Sequence, residues 1–394
     1  MSDSATSSQG PDGSVSGAEI TLTDVTKRYT RSGKPAVDGL TLNIPAGETV
    51  MFVGPSGCGK TTSLKMLNRL IEPTSGTITI DGEDIRSKDV DDLRRGIGYV
   101  IQGGSLFPHM SVADNIAVVP GLLKWKKQRI ADRVDELLDL VGLEPDRYRD
   151  RYPRELSGGQ QQRVGVARGL AADPPVLLMD EPFGAVDPIT RQRLQDEMMS
   201  IQDELRKTIV CVTHDIDEAL KLGDRILILQ EGAQIAQYDT PDVILAQPAG
   251  EFVEDFVGSG SSLKLLTLTR VQELDLATQS TATVGESTKD VIERTRAAGD
   301  SSVIVLDQRR RPIEWLWLRE LRSDTIPATE DPKLITIDRR ATLNDALDSM
   351  LVSSHDGVIV TGRRDEYLGV TTFTTVTDHM RATEQAAAEQ AAEA

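Results

Sequence analysis

Cysteine is scarce. The 394 residues hold two, Cys58 in a glycine-rich loop and Cys211 in an apolar run. That suggests no disulfide framework and fits a reducing cytosol. Long apolar runs are missing as well. None approaches the roughly 18 residues of a membrane-spanning helix, so any work at a membrane would pass through a partner. The N-terminus has no apolar core behind basic residues, which argues against a signal peptide. Net positive charge is also lacking: 44 Lys and Arg face 62 Asp and Glu, a formal charge of −18. Affinity for nucleic-acid backbones comes mainly from clustered Lys and Arg, so a general nucleic-acid binder is disfavoured. Residues 1–18 are Ser-, Gly- and Asp-rich with almost no large apolar side chains. Such a stretch cannot offset the entropy of ordering, and the expectation is disorder. The rest differs. Hydrophobic residues make up 39% of the chain, enough for real cores, and the length predicts two or three domains.

What is present is organised around Gly54, Pro55, Ser56, Gly57, Cys58, Gly59, Lys60, Thr61 and Thr62. This run fits G-x-x-x-x-G-K-[ST] between an apolar strand, Glu48 to Val53, and a helical pattern with Leu64, Leu67 and Leu70 on one stripe. Strand, glycine loop and helix N-terminus together make a phosphate cradle. Backbone N–H groups converge on the anion, Lys60 adds a point charge, and the Thr61 hydroxyl can ligate Mg²⁺. An ordinary glycine turn would not need the Lys-Thr pair in this context.

Other candidates lie along the chain. Tyr29 stands about two dozen residues before the loop, where its ring could stack on a nucleobase or merely cover a sheet edge. The strand from Ile97 ends in Gln102, which opens a glycine- and proline-broken loop. From Ser111 to about Leu143 the pattern is helical, with Ile130, Val134, Leu137, Leu138 and Val141 on one face. Lys124, Lys126 and Lys127 around Trp125 read as a solvated helix start rather than an anion site. Ser157, Gly158, Gly159 and Gln160 form a second anion nest at a capped helix start, one without a lysine. The apolar strand Pro175 to Met179 ends in Asp180 and Glu181. Asp180 can hold Mg²⁺, and Glu181, facing the other way, can polarise an attacking water. Asp187 sits in the next loop, before a helix expected from about Thr190 to Lys207. The strand from Thr208 ends in His214, at the sheet edge where open α/β folds place ligands, and suggests a γ-phosphate contact.

These motifs, in this order, resemble the nucleotide-binding subunit of an ABC transporter over about Ile20 to Val257. The resemblance implies ATP with Mg²⁺ as cofactors. It gives Tyr29 adenine stacking, Gly54 to Thr62 the Walker A loop, and Gln102 the sensing of metal and water. Leu156 to Gln160 is identical to the family signature, which binds the γ-phosphate held by the other subunit. Asp180 and Glu181 match the metal carboxylate and the catalytic base, Asp187 the loop acid at the dimer interface, and His214 the switch histidine. Catalysis then falls to Glu181, His214, Lys60 and Gln102, and metal binding to Thr61, Gln102 and Asp180. Neither nest alone surrounds a triphosphate; two chains related by a two-fold axis could each complete the other's site. A homodimer, a membrane permease and, through it, a solute-binding protein are the implied partners. The implied location is the cytoplasmic face of the membrane.

Composition shifts at Gly258 to Ser262, read as a hinge over 258–265. Beyond it Ser301 to Leu306 aligns with Asp356 to Thr361, and Arg311 to Leu316 with Glu366 to Thr371, about 55 residues apart. A helix precedes each copy. This repeat resembles a tandem pair of CBS domains, which often bind adenine nucleotides, so a nucleotide is a possible ligand. Trp315, Leu316 and Trp317 stand where the second copy is read to have Gly369, Val370 and Thr371, putting the first cleft in doubt. The expected fold class is α/β: a P-loop ABC ATPase domain over 19–257 with a helical subdomain about 103–170. An α+β CBS module follows, with repeats at 266–326 and 327–380, and an Ala/Glu-rich tail over 381–394. Cassettes with such a pair, and the run Asp187 to Arg191, resemble importers of glycine betaine, carnitine, choline or proline. The rival readings are an importer of another solute, a soluble ABC ATPase without transport, and a regulatory binding protein centred on the repeat.

Overall fold

The computed structural model describes residues 17–30, 33–101, 105–184, 186–258, 261–327 and 334–382. The expectations for residues 1–16, for Gln102 and for the tail beyond 382 lie outside the described residues. The chain divides into two compact units, Met1–Ile244 with Pro248–Val257, and Leu245–Gln247 with Gly258–Ala394. Ala18 is fully buried, so ordered packing begins inside the stretch read as disordered.

In the first unit, alternation builds the first sheet. Ile20, Leu22 and Val25 of β1 (Ile20–Lys27) are buried, as are Val37, Leu40, Leu42 and Ile44 of β2 (Val37–Ile44). All five residues of β3 (Thr49–Val53) are buried, the pattern of a strand covered on both faces. The glycine loop follows, then α1 (Lys60–Leu67). Leu64 and Leu67 are buried but Leu70 is 48% exposed, because the helix ends before it and Arg69 turns away at φ 47°. β4 (Ser75–Ile80) and β5 (Glu83–Asp84) complete an antiparallel sheet in the order β2-β1-β4-β5.

After α2 (Val90–Arg95), β6 (Ile97–Ile101) leads to the helical segment. Its helices are α3 (Val112–Leu122), α4 (Lys127–Leu140), α5 (Pro145–Tyr148) and α6 (Gly158–Leu170). The single helical stretch expected to Leu143 is broken at Leu123–Lys126, where Lys124 takes φ 58°. The Arg129 guanidinium covers the Trp125 ring at 3.6 Å while Lys124, Lys126 and Lys127 remain exposed, as a solvated helix start requires.

The remaining elements of this unit are β7 (Val176–Asp180), α7 (Pro188–Leu205), β8 (Thr208–Val212), α8 (Ile216–Leu222), β9 (Arg225–Gln230), β10 (Gln234–Asp239) and α10 (Glu251–Val257); α9 (Pro241–Ala246), before the last, belongs to it as far as Ile244. The second sheet runs β10-β9-β3-β8-β7-β6. It is parallel from β9 to β6, and β10 returns antiparallel on β9. β8 therefore lies between β3 and β7, which brings the C-terminal ends of all three strands to one edge. β8 stops at Val212, so His214 stands in the following turn and not in the strand.

In the second unit, α11 (Ser261–Leu268) replaces most of the expected hinge with a helix. The sheet β11 (Thr281–Thr283), β12 (Ser302–Leu306) and β13 (Pro312–Trp317) is followed by its copy, β14 (Thr336–Asp338), β15 (Gly357–Thr361) and β16 (Tyr367–Thr372). Within each copy a helix precedes the middle strand, α12 (Thr288–Ala297) and then α13 (Leu343–Val352). Thr281 pairs with Ile304 and Thr336 with Ile359, an offset of 55 residues. The same register sets Trp315 opposite Ile304 and Val370 opposite Ile359. Trp315, Leu316 and Trp317 thus correspond to Val370, Thr371 and Thr372, as the alignment of Arg311–Leu316 with Glu366–Thr371 has it, and not to Gly369, Val370 and Thr371. Ile304, Leu306 and Trp315 of the first copy share a core with Ile359 and Val370 of the second.

The His355 ring of the second copy stacks on both tryptophans of the first, 4.2 Å from Trp315 and 4.9 Å from Trp317 by ring centroids. Trp315 and Trp317 are two residues apart on one strand face, roughly 6.8 Å at the strand rise, which leaves room for one ring's thickness. The Trp315 indole N–H donates to Ser302 Oγ at 3.0 Å and fixes one wall. Replacing His355 by Ala is expected to destabilise this unit by about 1–3 kcal/mol, the sum of two aromatic pairs. Denaturant unfolding of the full chain, followed by tryptophan fluorescence, checks it; an unmoved midpoint would refute the interlock. Burial holds the His355 imidazole below its ordinary value against the pull of Glu320 and Asp356. A depressed histidine loses stability on acidification, because the unfolded chain takes up the proton first, near pH 6.5.

Candidate nucleotide site

The loop between β3 and α1 has a built-in need for glycine. Gly59 has φ 116°, and a Cβ there would lie 2.5 Å from Ala36 O. As the N-cap of α1 it offers no side chain, so the first backbone N–H groups of the helix remain available to an anion. The Lys60 ammonium is buried and donates to Gly54 O at 2.7 Å and Pro55 O at 3.0 Å. It is held across the loop rather than in solvent. Pro55, Ser56 and Gly57 are exposed, whereas Cys58 is buried, so Cys58 presents only its backbone to a ligand.

The strand order then supplies the other groups. The Thr61 hydroxyl donates to Asp180 Oδ1 at 3.1 Å across the edge formed by β3, β8 and β7. Two hard oxygen donors side by side suit Mg²⁺, which takes one or two protein ligands and leaves the rest of its shell to phosphate and water. No group of three His, Cys, Asp or Glu able to cage a metal occurs among the described residues. A metal here would therefore be shared with a nucleotide. Glu181 departs from the strand at φ 46° and its N–H donates to Val212 O at 2.9 Å. Its Oε1 lies 3.3 Å from His214 Nδ1, and the His214 side chain is 68% exposed. Glu181 and His214 thus meet at the rim, beside the Thr61–Asp180 pair. Tyr29 is 62% exposed, with its hydroxyl 3.5 Å from Thr62 Oγ1. The position read as base-stacking stands beside the cradle.

The second nest lies apart. Ser157 Oγ accepts from Gln160 N at 3.3 Å, and Gln160 Oε1 accepts from Ser157 N at 2.9 Å, a reciprocal cap on α6. Ser157 and Gly158 are exposed, and a Cβ on Gly158 would meet nothing within 4 Å. A concavity of about 330 Å³ is lined here by Ser157, Gly158, Arg163, Asp187, Thr190 and Arg193 among others, and by no residue from Gly54 to Thr62. Asp187 caps α7 by accepting from Thr190 N at 3.1 Å, and that N–H holds its carboxyl below the usual range. The structure therefore brings together Thr61, Asp180, Glu181 and His214 in one group, and Ser157 to Gln160 with Asp187 in another.

Sequence reasoning gave Arg191 no role beyond its place in the run Asp187 to Arg191, and passed over Asp215 and Glu218. Asp215 accepts from Asp217 N and Glu218 N and caps α8 in the turn after His214. An Asp followed three residues later by Glu, before an apolar run, is a helix-start signal that reveals it.

A family model described as "ABC transporter" matches residues 37–184. The chain is 44% identical over 365 residues to the glycine betaine/carnitine/choline transport ATP-binding protein OpuCA of Bacillus subtilis, covering 91% of this chain and 95% of that protein. It is 48% identical over 310 residues to the osmoprotectant import ATP-binding protein OsmV of Salmonella typhimurium, covering 77% and 80%. Among solved structures, the dimeric structure of MJ0796, a bacterial ABC transporter cassette, matches 56% of this chain and 98% of its own, at 36% identity and a TM-score of 0.51.

Proposed function

This chain belongs to the family of ABC transporter ATP-binding proteins, and we propose from that premise that it hydrolyses ATP to power import of quaternary-amine compatible solutes. Glycine betaine, carnitine and choline are the solutes named for its relatives. The observation that carries the hydrolytic reading is the convergence of Thr61, Asp180, Glu181 and His214 on one sheet edge beside the Gly54–Thr62 cradle. Lys60 and the N–H groups of α1 take the phosphates. Thr61 and Asp180 would hold Mg²⁺, with Gln102 as a further ligand. Bound there, the ion neutralises phosphate charge. Glu181 orients the attacking water and accepts its proton, and His214 meets the γ-phosphate from the rim. Tyr29 offers a ring to the adenine.

The separate nest at Ser157–Gln160 supports a homodimer, in which each chain completes its partner's site and Asp187 stands at the shared boundary. No helix among the described residues is long and apolar enough to cross a membrane. We assign the chain to the cytoplasmic face, docked on a permease that receives solute from a binding protein. The second unit, with its 55-residue repeat, we read as a CBS pair that regulates the cassette, with a nucleotide as its candidate ligand.

The test is transport. Reconstituted in vesicles with its permease and solute-binding protein, the chain should drive ATP-dependent accumulation of labelled glycine betaine. Lys60→Ala should abolish accumulation and weaken ATP binding itself. Accumulation of a different solute class would refute the cargo. Unchanged nucleotide affinity in Lys60→Ala would refute the cradle.

A further inference from the structure

The edge that carries Glu181 and His214 is tied to the signature nest by one helix, α7. Its N-terminal turn packs on α6 so tightly that a Cβ on Gly159 would lie 2.6 Å from Thr190 Cγ2. Two turns further along, Glu197 Oε1 accepts from Arg163 of α6 at 2.5 Å. The N-terminal turn also carries Arg191. Its backbone N–H donates to Asp187 O at 2.8 Å, and its guanidinium donates to Val186 O at 3.4 Å. The guanidinium also lies 3.6 Å from Asp215 Oδ2. Asp215 is no free acid. It caps α8, and its own N–H donates to Thr213 Oγ1 at 3.1 Å, so the turn Thr213–Asp215 is stiff. His214 is the middle residue of that turn, with Glu181 at 3.3 Å.

Two buried atoms in this neighbourhood have no partner: Arg191 Nε, a donor, and Glu218 Oε1, an acceptor. Glu218 is the buried residue of α8 that follows Asp215 by one turn. Burial and the nearby Asp215 push its carboxyl up to about 7, while a hydrogen bond with the Thr213 side chain and the fields of Arg191 and His214 pull the other way. A guanidinium and a carboxyl, each with one unmet atom and the first acting electrostatically on the second, are complementary groups.

We propose that Arg191 is a positioning residue for hydrolysis: it fixes the His214 turn to the Asp187 loop through Asp215, and takes the Glu218 carboxyl as its second partner when that loop moves. The signature nest, which serves the partner subunit's nucleotide, is thereby coupled to the Glu181–His214 pair of its own chain. This rests on the hydrolytic reading of Glu181 and His214 given above.

The experiment uses the full chain with ATP and Mg²⁺, measuring kcat, KM, calorimetric ATP affinity and the thermal midpoint for Arg191→Gln, Arg191→Lys, Glu218→Gln and the double Arg191→Gln/Glu218→Gln. Arg191→Gln should lower kcat by about 10- to 100-fold, the scale of a misplacement near 1 Å, with KM, ATP affinity and midpoint unchanged. Arg191→Lys should recover part of the loss, keeping charge without the fork. The double variant should be no slower than Arg191→Gln alone, since both act through one contact. An unaffected kcat in Arg191→Gln overturns the proposal, as does a loss shared equally with ATP affinity or folding, or a fully additive double variant. A wild-type chain that bound ATP but hydrolysed none would overturn the hydrolytic reading and this inference with it. An active wild type with an unaffected Arg191→Gln overturns the inference alone.

Discussion

Glu181→Gln is expected to slow ATP turnover by about 10²–10⁴ while leaving ATP affinity intact, the range for losing a general base. The side chain is nearly isosteric, so the amide keeps a hydrogen-bonding contact with His214 Nδ1, now 3.3 Å from the carboxylate. What disappears is the capacity to accept a proton. The residue's backbone is set independently of its side chain, by the N–H bond to Val212 O and a φ of 46°. The cradle does not depend on it either: Lys60 is held by Gly54 O and Pro55 O, and Thr61 by Asp180. Affinity and chemistry should therefore separate. Steady-state hydrolysis beside calorimetric ATP binding checks this. Turnover at the wild-type rate would remove Glu181 from the role of base.

That separation was partly legible in the sequence. A glycine loop closed by Lys60 and Thr61, and an apolar run ending in Asp180 and Glu181, are local patterns whose chemistry follows from neighbours in the chain. The Thr61–Asp180 contact is of another kind. It exists because β8 lies between β3 and β7, and a strand order is a global result of packing. Local periodicity also failed at ends. Leu70 continues the helical stripe in sequence, yet the turn at Arg69 takes it out of the helix and into solvent. The Leu123–Lys126 break follows Pro120 and Gly121, which weaken the end of α3, but helical spacing resumes across it and hides the interruption. In the sequence Arg191 is only the last residue of the run Asp187 to Arg191, with no role of its own. Its significance is that of a long side chain reaching a turn far along the sequence, which only the packing of α7 against the β8–α8 turn reveals.

Ser157→Arg is expected to abolish ATP-driven dimerisation while each chain still binds nucleotide. Ser157 does two things. Its hydroxyl caps α6, a contribution of about 0.5–2 kcal/mol that any substitution lacking an acceptor loses. It also lines, with Gly158, an open concavity in which a Cβ on Gly158 would touch nothing of its own chain. A glycine kept where its own chain leaves room points to contact with something outside the chain. An arginine fills that space with a long cationic side chain, beside Arg163 and Arg193 on the same wall. Ser157→Ala separates the two effects, because it loses the cap and adds no bulk; it should weaken α6 yet dimerise. The cradle from Gly54 to Thr62 contributes nothing to the lining of this concavity, so ATP affinity of the single chain should survive both changes. Light scattering with a non-hydrolysable ATP analogue, beside calorimetric binding, distinguishes the outcomes. A Ser157→Arg chain that dimerised as the wild type does would mean that the nest at Ser157 faces no partner, and that the second half of the ATP site lies elsewhere.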